Sequence, residues 1–316
     1  DVGVLRTWRA MCPELQALWH DDIPEDWDGV TFANGRVVKI RLIEKRLTGA
    51  VPAEIGRLSA LRELILDNNK LTSVPAEIGQ LTSLGKLCLG YNKLSSVPAE
   101  IGQLTALWVL DLGDNQLTSL PAEIGQLTSL KWLKLCDNQL TSLPAEIGQL
   151  KSLQQLVLAL NQLTSVPAEI GQLTSLKELN LGGNQLTSAP AEIGQLTSLR
   201  ELNLVANWLT SLPAEIWQLP ALEWLYLEGN GLTSLPAEIG QLTSLKVLNL
   251  SYNLLTTVPA EIGQLRSLKQ LWLHGNVLTT LPAAIRELAA TSCHVVMDDG
   301  VLFDEHKRWL YERQSL

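Results

Sequence analysis

Two groups of residues in this chain have the types and spacing of a binding surface. Trp108, Asp111, Trp132 and Lys134, flanked by Asp114 and Asp137, form the first; Asn203, Trp224, Tyr226, Val247, Asn249, Tyr252, Gln270 and Trp272 form the second. Indole and phenol rings bury much area at little entropic cost, which is why binding energy concentrates on them. Aspartate and lysine supply charge in the first group, and amides rim the aromatic rings of the second. The chemistry is non-covalent recognition of a protein or peptide. A sugar is a weaker alternative, because Trp, Tyr, Asn and Asp also line carbohydrate sites. Asn249-Leu250-Ser251 is a glycosylation sequon, but a glycan there would cover the same surface.

Catalytic chemistry finds no comparable grouping. The four histidines, His20, His274, His294 and His306, are scattered, and no Cys or Asp stands near them at a metal or catalytic spacing. Neither a phosphate-cradling glycine loop nor a G-x-S-x-G turn occurs. His20-Asp21-Asp22 reads as a solvated cap turn, and Asp298-Asp299 near Asp304-Glu305 as charges around a helix start. The expectation is a chain that is not an enzyme and holds no cofactor and no metal.

The elements that position these residues come from a repeat. AEIGQLTSL occurs verbatim five times, starting at Ala76, Ala122, Ala168, Ala191 and Ala237, and is followed by LxxLxLxxNxL. Each unit of 23 or 24 residues reads as a strand, a turn and a return segment that buries its apolar side only by stacking on its neighbours. Strands are expected over 37–45, 61–69, 84–92 and onward at the same interval to 268–276, with a degenerate one at 292–300. Proline from Pro52 onward fixes the backbone entering each return segment, and Gly79, Gly102 and their equivalents relax the turn there. Asn69, Asn92, Asn115 and their counterparts are expected to point inward and satisfy dry backbone groups.

The two halves of the repeat vary differently. The glutamate of PAEI(G/W) is the same residue in ten repeats, from Glu54 to Glu261. The outward position between the two strand leucines runs Ile65, Cys88, Asp111, Lys134, Val157, Asn180, Asn203, Tyr226, Asn249, Trp272, eight types in ten. Side chains alternate across a strand, so these residues share one face with those two positions earlier. Drift at exposed sites would affect both faces. Change confined to the strand face is the mark of a surface diversified for contact. Trp217, which replaces the glycine of the constant half, reads as local packing.

The wording LTSLPAEIGQLxxLxxLxLxxNQ resembles the leucine-rich-repeat proteins of the Ras-group, or plant-intracellular, class. Asp26-Trp27-Asp28-Gly29-Val30 before Arg36-Val37 resembles the amino-terminal cap of plant-type receptors, without its cysteines. The resemblance implies an α/β solenoid: a horseshoe with a parallel sheet on its concave face and short turns or helical segments on the convex one. It divides the chain into a cap at 1–36, about eleven repeats over 37–302 and a capping helix at 303–316. It also implies a protein-binding module, or alternatively an intracellular signalling scaffold that binds several partners along one surface.

Charge and cysteine usage narrow the setting. The net charge of −9 is accounted for by the ten repeated glutamates, a solvated face that disfavours nucleic acid. No apolar run is long enough to span a membrane. Cys88 and Cys136 lie two repeats apart, too far for a disulfide, and Cys12 and Cys293 have no evident partner. Free thiols point to the cytoplasm, and the chain is expected to be a monomer.

Overall fold

In every repeat the leucines of LxxLxLxxN enter the core, and the residue between the last two leucines faces outward. A computed structural model of the protein describes residues 1–20, 23–290, 293–298 and 302–303. Leu110, Leu112, Leu133 and Leu135 are buried to within one per cent of completely. Strands pair in parallel in identical register, Leu110 opposite Leu133 and Leu133 opposite Leu156. Within each compact unit the shared register follows from the constant repeat length, since a one-residue slip would turn the leucines outward.

The chain falls into two compact units, residues 1–163 with 172–176 and residues 164–171 with 177–316. The first holds an amino-terminal cap and the strands from Val30–Ala33 to Gln155–Val157; the second holds those from Glu178–Asn180 to His294–Val296. Two small parallel pairs stand outside the main sheet, Thr48–Ala50 with Lys70–Ser73 and Thr280–Leu281 with Leu302–Phe303.

Three expectations need correction. The repeated strands are three residues long, as in Trp132–Lys134, rather than nine. They end early because the residue before each asparagine turns the backbone into the left-handed region, with φ 54° at Asp114 and 52° at Asp137. The first strand is not at residue 37. Val30–Ala33 precedes it and pairs antiparallel with Arg36–Arg41, so the cap extends the sheet. Finally, the repeated glycine does more than relax a turn. A Cβ on Gly79 would lie 2.6 Å from the Glu100 carbonyl oxygen of the next repeat, so glycine permits the turns to stack.

The asparagine ladder ties the repeats together. Asn115 Nδ2 donates to the carbonyls of Leu89 (2.9 Å), Leu112 (3.1 Å) and Gly113 (3.1 Å), and its Oδ1 accepts from the Leu94 N–H at 2.9 Å. Asn138 repeats the pattern one unit on, with Leu112, Leu135, Cys136 and Leu117. Each amide therefore satisfies groups of its own repeat and of the one before, as a dry turn requires.

The return segments are single 3-10 turns such as Ala122–Gln126, except in the last repeat, where Ala284–Ala290 is an α-helix. Trp217 occupies the glycine position of one of them and is only 2% exposed. The chain leaves that turn differently. Leu219 is extended (φ −64°, ψ 111°), where Leu127 has φ −76° and ψ 59°. Its packing role is as expected, yet Trp217 Nε1 meets no hydrogen-bond acceptor among the described residues.

At the amino terminus, helices Val2–Met11 and Pro13–Leu18 close the first repeat. Trp19 stacks on Trp27 with centroids 4.7 Å apart, and Trp8 meets Trp19 edge-on. The expected terminal helix over 303–316 lies outside the described residues apart from Phe303, which is in a strand. Asp21, Asp22, Asp299, Asp304, Glu305 and His306 also lie outside them.

Candidate recognition face

In the first unit the strands Val109–Asp111 and Trp132–Lys134 present the predicted group on one surface. Val109 stands opposite Trp132 and Asp111 opposite Lys134. Trp108, one residue before its strand, donates its backbone N–H to the Gly85 carbonyl at 2.8 Å. Its indole lies over that glycine: a Cβ at residue 85 would be 2.8 Å from Nε1. Trp108 and Trp132 then meet edge to face, centroids 5.3 Å apart at 63°. Both remain largely in solvent, 41% and 40% exposed.

Carboxylates gather toward the carboxyl ends of the same strands. Asp67 Oδ1 accepts the Gly90 N–H and Asp111 Oδ1 the Gly113 N–H, each at 2.9 Å. Lys134 reaches over Gly113, with Nζ 3.6 Å from Asp111 and 3.9 Å from Asp114, and 5.4 Å from the centroid of the Tyr91 ring. Burial pushes the Asp67 carboxyl above its usual range; the Gly90 hydrogen bond opposes the rise and the Asp111 charge adds to it. Asp114 is raised by burial and then by the charge of Asp137. Burial works against the Lys134 ammonium, but Asp111 and its neighbours outweigh it and hold the amine above its ordinary value. Cys88, opposite Asp111 on the neighbouring strand, has its thiol pushed up to about 12, chiefly by burial, and stays protonated.

The second group is less available than its sequence suggests. Val247 and Asn249 are buried. Asn249 Nδ2 donates to Glu228 at 2.8 Å, and its Oδ1 accepts from the Ser251 N–H and hydroxyl, so the amide is committed. Trp224 carries Lys246 across its ring at 5.4 Å, and that lysine also pairs with Glu223. Asn203 Oδ1 accepts the Val205 N–H, while Tyr226 and Trp272 are half-buried and Gln270 is exposed. Burial, then the Glu201 charge, raises the Tyr226 phenol above its ordinary value. Tyr252 alone of the group's aromatic residues stands mostly in solvent, 57% exposed, with its ring over Gly275 and edge-on to His274 at 5.1 Å.

Other exposed apolar residues were not anticipated. Trp208 is 60% exposed, and Leu254 and Val277 also stand in solvent. A signal for them exists in the sequence. The position after the repeat asparagine runs Lys70, Lys93, Gln116, Gln139, Gln162, Gln185, then Trp208, Gly231, Leu254, Val277. The same column is polar through six repeats and apolar or glycine thereafter. Tyr91 and Leu160 are likewise exposed, at left-handed positions (φ 55° and 58°) where a large side chain is unusual.

Comparison with known proteins agrees with this architecture. The profile of a leucine-rich repeat region matches residues 30–136, 120–211 and 193–292, most of the chain. The chain belongs to the leucine-rich-repeat family. Among solved structures, this leucine-rich-repeat chain is similar to the Leptospira interrogans protein LIC12759, with 46% identity, TM-score 0.75, and 79% of this chain and 64% of that one covered. It is also similar to the ectodomain of the Arabidopsis receptor kinase HAESA, solved with an extended IDA peptide hormone (31%, TM-score 0.76, 96% and 53% covered). A third similarity is to the plant peptide hormone receptor RGFR1 in complex with RGF2, at 31% identity and TM-score 0.71, covering 86% of this chain and 52% of that one. The chain thus spans less than two thirds of each of these proteins. No curated protein matches it. Among the described residues no helix is long and apolar enough to cross a membrane.

Proposed function

We propose that this chain is a non-catalytic recognition module that holds a protein or peptide against its strand face. The observation that carries the reading is the Trp108–Trp132 pair, two exposed rings held in fixed mutual geometry by a glycine beneath one of them. Rigid aromatic rings that need no reordering on contact are favourable binding anchors. The two plant receptors similar to this chain were solved with peptide hormones, which supports a peptide as ligand. The four free cysteines favour a reducing compartment, hence the cytoplasm.

A scaffold with more than one partner is the second reading. It is favoured by the separate exposed group at Trp208, Tyr252, Leu254 and Val277 in the second unit. Peptides selected from a random displayed library on the wild-type protein test both. Loss of all binders on Trp108→Ala/Trp132→Ala fits a single recognition face. Binders that divide between this variant and Trp208→Gln/Leu254→Gln fit a scaffold. Binders indifferent to both variants exclude the proposal.

A further inference from the structure

We infer that the Trp108–Trp132 half of the face takes an arginine-bearing, otherwise apolar stretch of its protein partner. The inference rests on the recognition reading above and narrows it to one partner chemistry.

Three observations support it. First, the tryptophan pair is an uncovered apolar part of the sheet. Trp224 carries its own Lys246 across its ring, whereas among the described residues no cation lies over Trp108 or Trp132. Tryptophan is the ring most favourable to a cation.

Second, the charge beside the pair is complementary to a cation. Asp67, Asp111, Asp114 and Asp137 stand toward the carboxyl ends of the strands that carry the rings, four carboxylates against Lys86, Lys134 and Lys131, the last exposed at the amino-terminal side where its backbone N–H meets the Trp108 carbonyl. Asp67 and Asp111 are set by hydrogen bonds from the Gly90 and Gly113 N–H groups; the missing side chain of Gly90 leaves room for both carboxylates, and that of Gly113 leaves room for Lys134. An anionic partner would be repelled here.

Third, the cluster already accommodates an organic cation. The Lys134 ammonium sits between Asp111 and Asp114 at 3.6 and 3.9 Å, longer than direct hydrogen bonds. Loose pairing leaves acceptor positions on both carboxylates. Trp132 and Lys134 are two strand residues apart, about 7 Å, a distance an arginine side chain spans with its stem on the indole. Guanidinium both stacks on aromatic rings and forks two donors to a carboxylate, which ammonium does not. Lys134 is therefore a placeholder that the partner's arginine displaces.

The test uses the full chain and peptides of about 12 residues, which in extended form cross several strands, selected from a random displayed library. Expected binders contain arginine several-fold above its library frequency. Replacing that arginine by uncharged, near-isosteric citrulline should weaken the synthetic peptide about tenfold or more. Asp111→Asn/Asp114→Asn should do the same. Both asparagines keep an acceptor oxygen, and asparagine suits the left-handed backbone at 114, so circular-dichroism melting should not fall below that of wild type. Lys134→Ala should tighten binding a few-fold, and added salt should weaken it.

Binders without arginine enrichment overturn the inference. So does equal binding of the citrulline peptide or by the double asparagine variant, and so does weaker binding on Lys134→Ala. If Trp108→Ala still abolishes binding in those cases, the recognition reading stands and only the arginine preference falls. Binders indifferent to every strand-face substitution, or no binders at all, overturn both.

Discussion

Trp108 lies on Gly85 of the preceding repeat, with Nε1 2.8 Å from where a methyl group at residue 85 would stand. The residue that shapes the candidate site is thus 23 positions away from the ring it supports. Gly85→Ala should tilt the indole and separate it from Trp132. Trp108 is exposed and can yield, so stability should change by less than about 1 kcal/mol. Affinity for peptides selected on the wild type should fall markedly. Parallel melting and titration of the two proteins check this.

Asn138 has three carbonyl partners and one N–H partner, all inside the solenoid. Asn138→Ala leaves the buried Leu117 N–H without its acceptor, while the carbonyls of Leu112, Leu135 and Cys136 keep Asn115, Asn161 and the Asp114 N–H, so the cost should be roughly 1–3 kcal/mol. Gln139→Ala, on the exposed next residue, should cost almost nothing. Urea denaturation of both variants distinguishes the ladder from the surface beside it.

Trp217 is buried with an unsatisfied indole N–H. Trp217→Phe removes that donor while keeping most of the ring, and should fall within about 1 kcal/mol of wild type. Trp217→Gly restores the residue of the other repeats but leaves a cavity, because the Leu219 backbone has adapted to the indole. It should cost about 3–5 kcal/mol. A Trp217→Gly variant as stable as wild type would show that the turn reverts on its own.

Asp67 is a carboxyl whose folded value lies above its unfolded one, chiefly through burial. Protonation therefore favours the native state: the group's contribution is present below the unfolded value and is lost as pH rises through the folded one. Asp67→Asn keeps an oxygen for the Gly90 N–H and removes the penalised charge. The variant should melt above wild type at neutral pH, and the difference should close on acidification below about pH 4. A difference independent of pH would argue for a packing cause.

Much of the architecture is legible from leucine spacing, because each LxxLxLxxN places its own core residues and the constant period sets the register. Strand ends were not legible. Tyr91, Asp114 and Leu160 turn the chain in left-handed conformations that a leucine pattern does not record. Availability at the face was also hidden, because it depends on the adjacent repeat. Asn249 reads as an outward amide until Glu228, 21 residues earlier, engages it. Trp224 reads as an open ring until Lys246 covers it. Trp108 and Trp132 stay open because the neighbour beneath Trp108 is a glycine, a residue that draws no notice when chemistry is read from side chains.

The asparagine ladder has a consequence for how such a chain can change. Amides such as Asn92, Asn115 and Asn138 bond across 26 and 21 residues to the unit before them, Asn69 across 27, 24 and 22, and the groups they meet are backbone atoms. Excision or duplication of one whole unit leaves each remaining amide facing the same kind of backbone group. Breakpoints within the recurring AEIGQLTSL text join without a mismatch in the fold. The outward residues, by contrast, acquire new neighbours at every such junction. Length and surface can therefore be reshuffled together while the stacking chemistry stays constant.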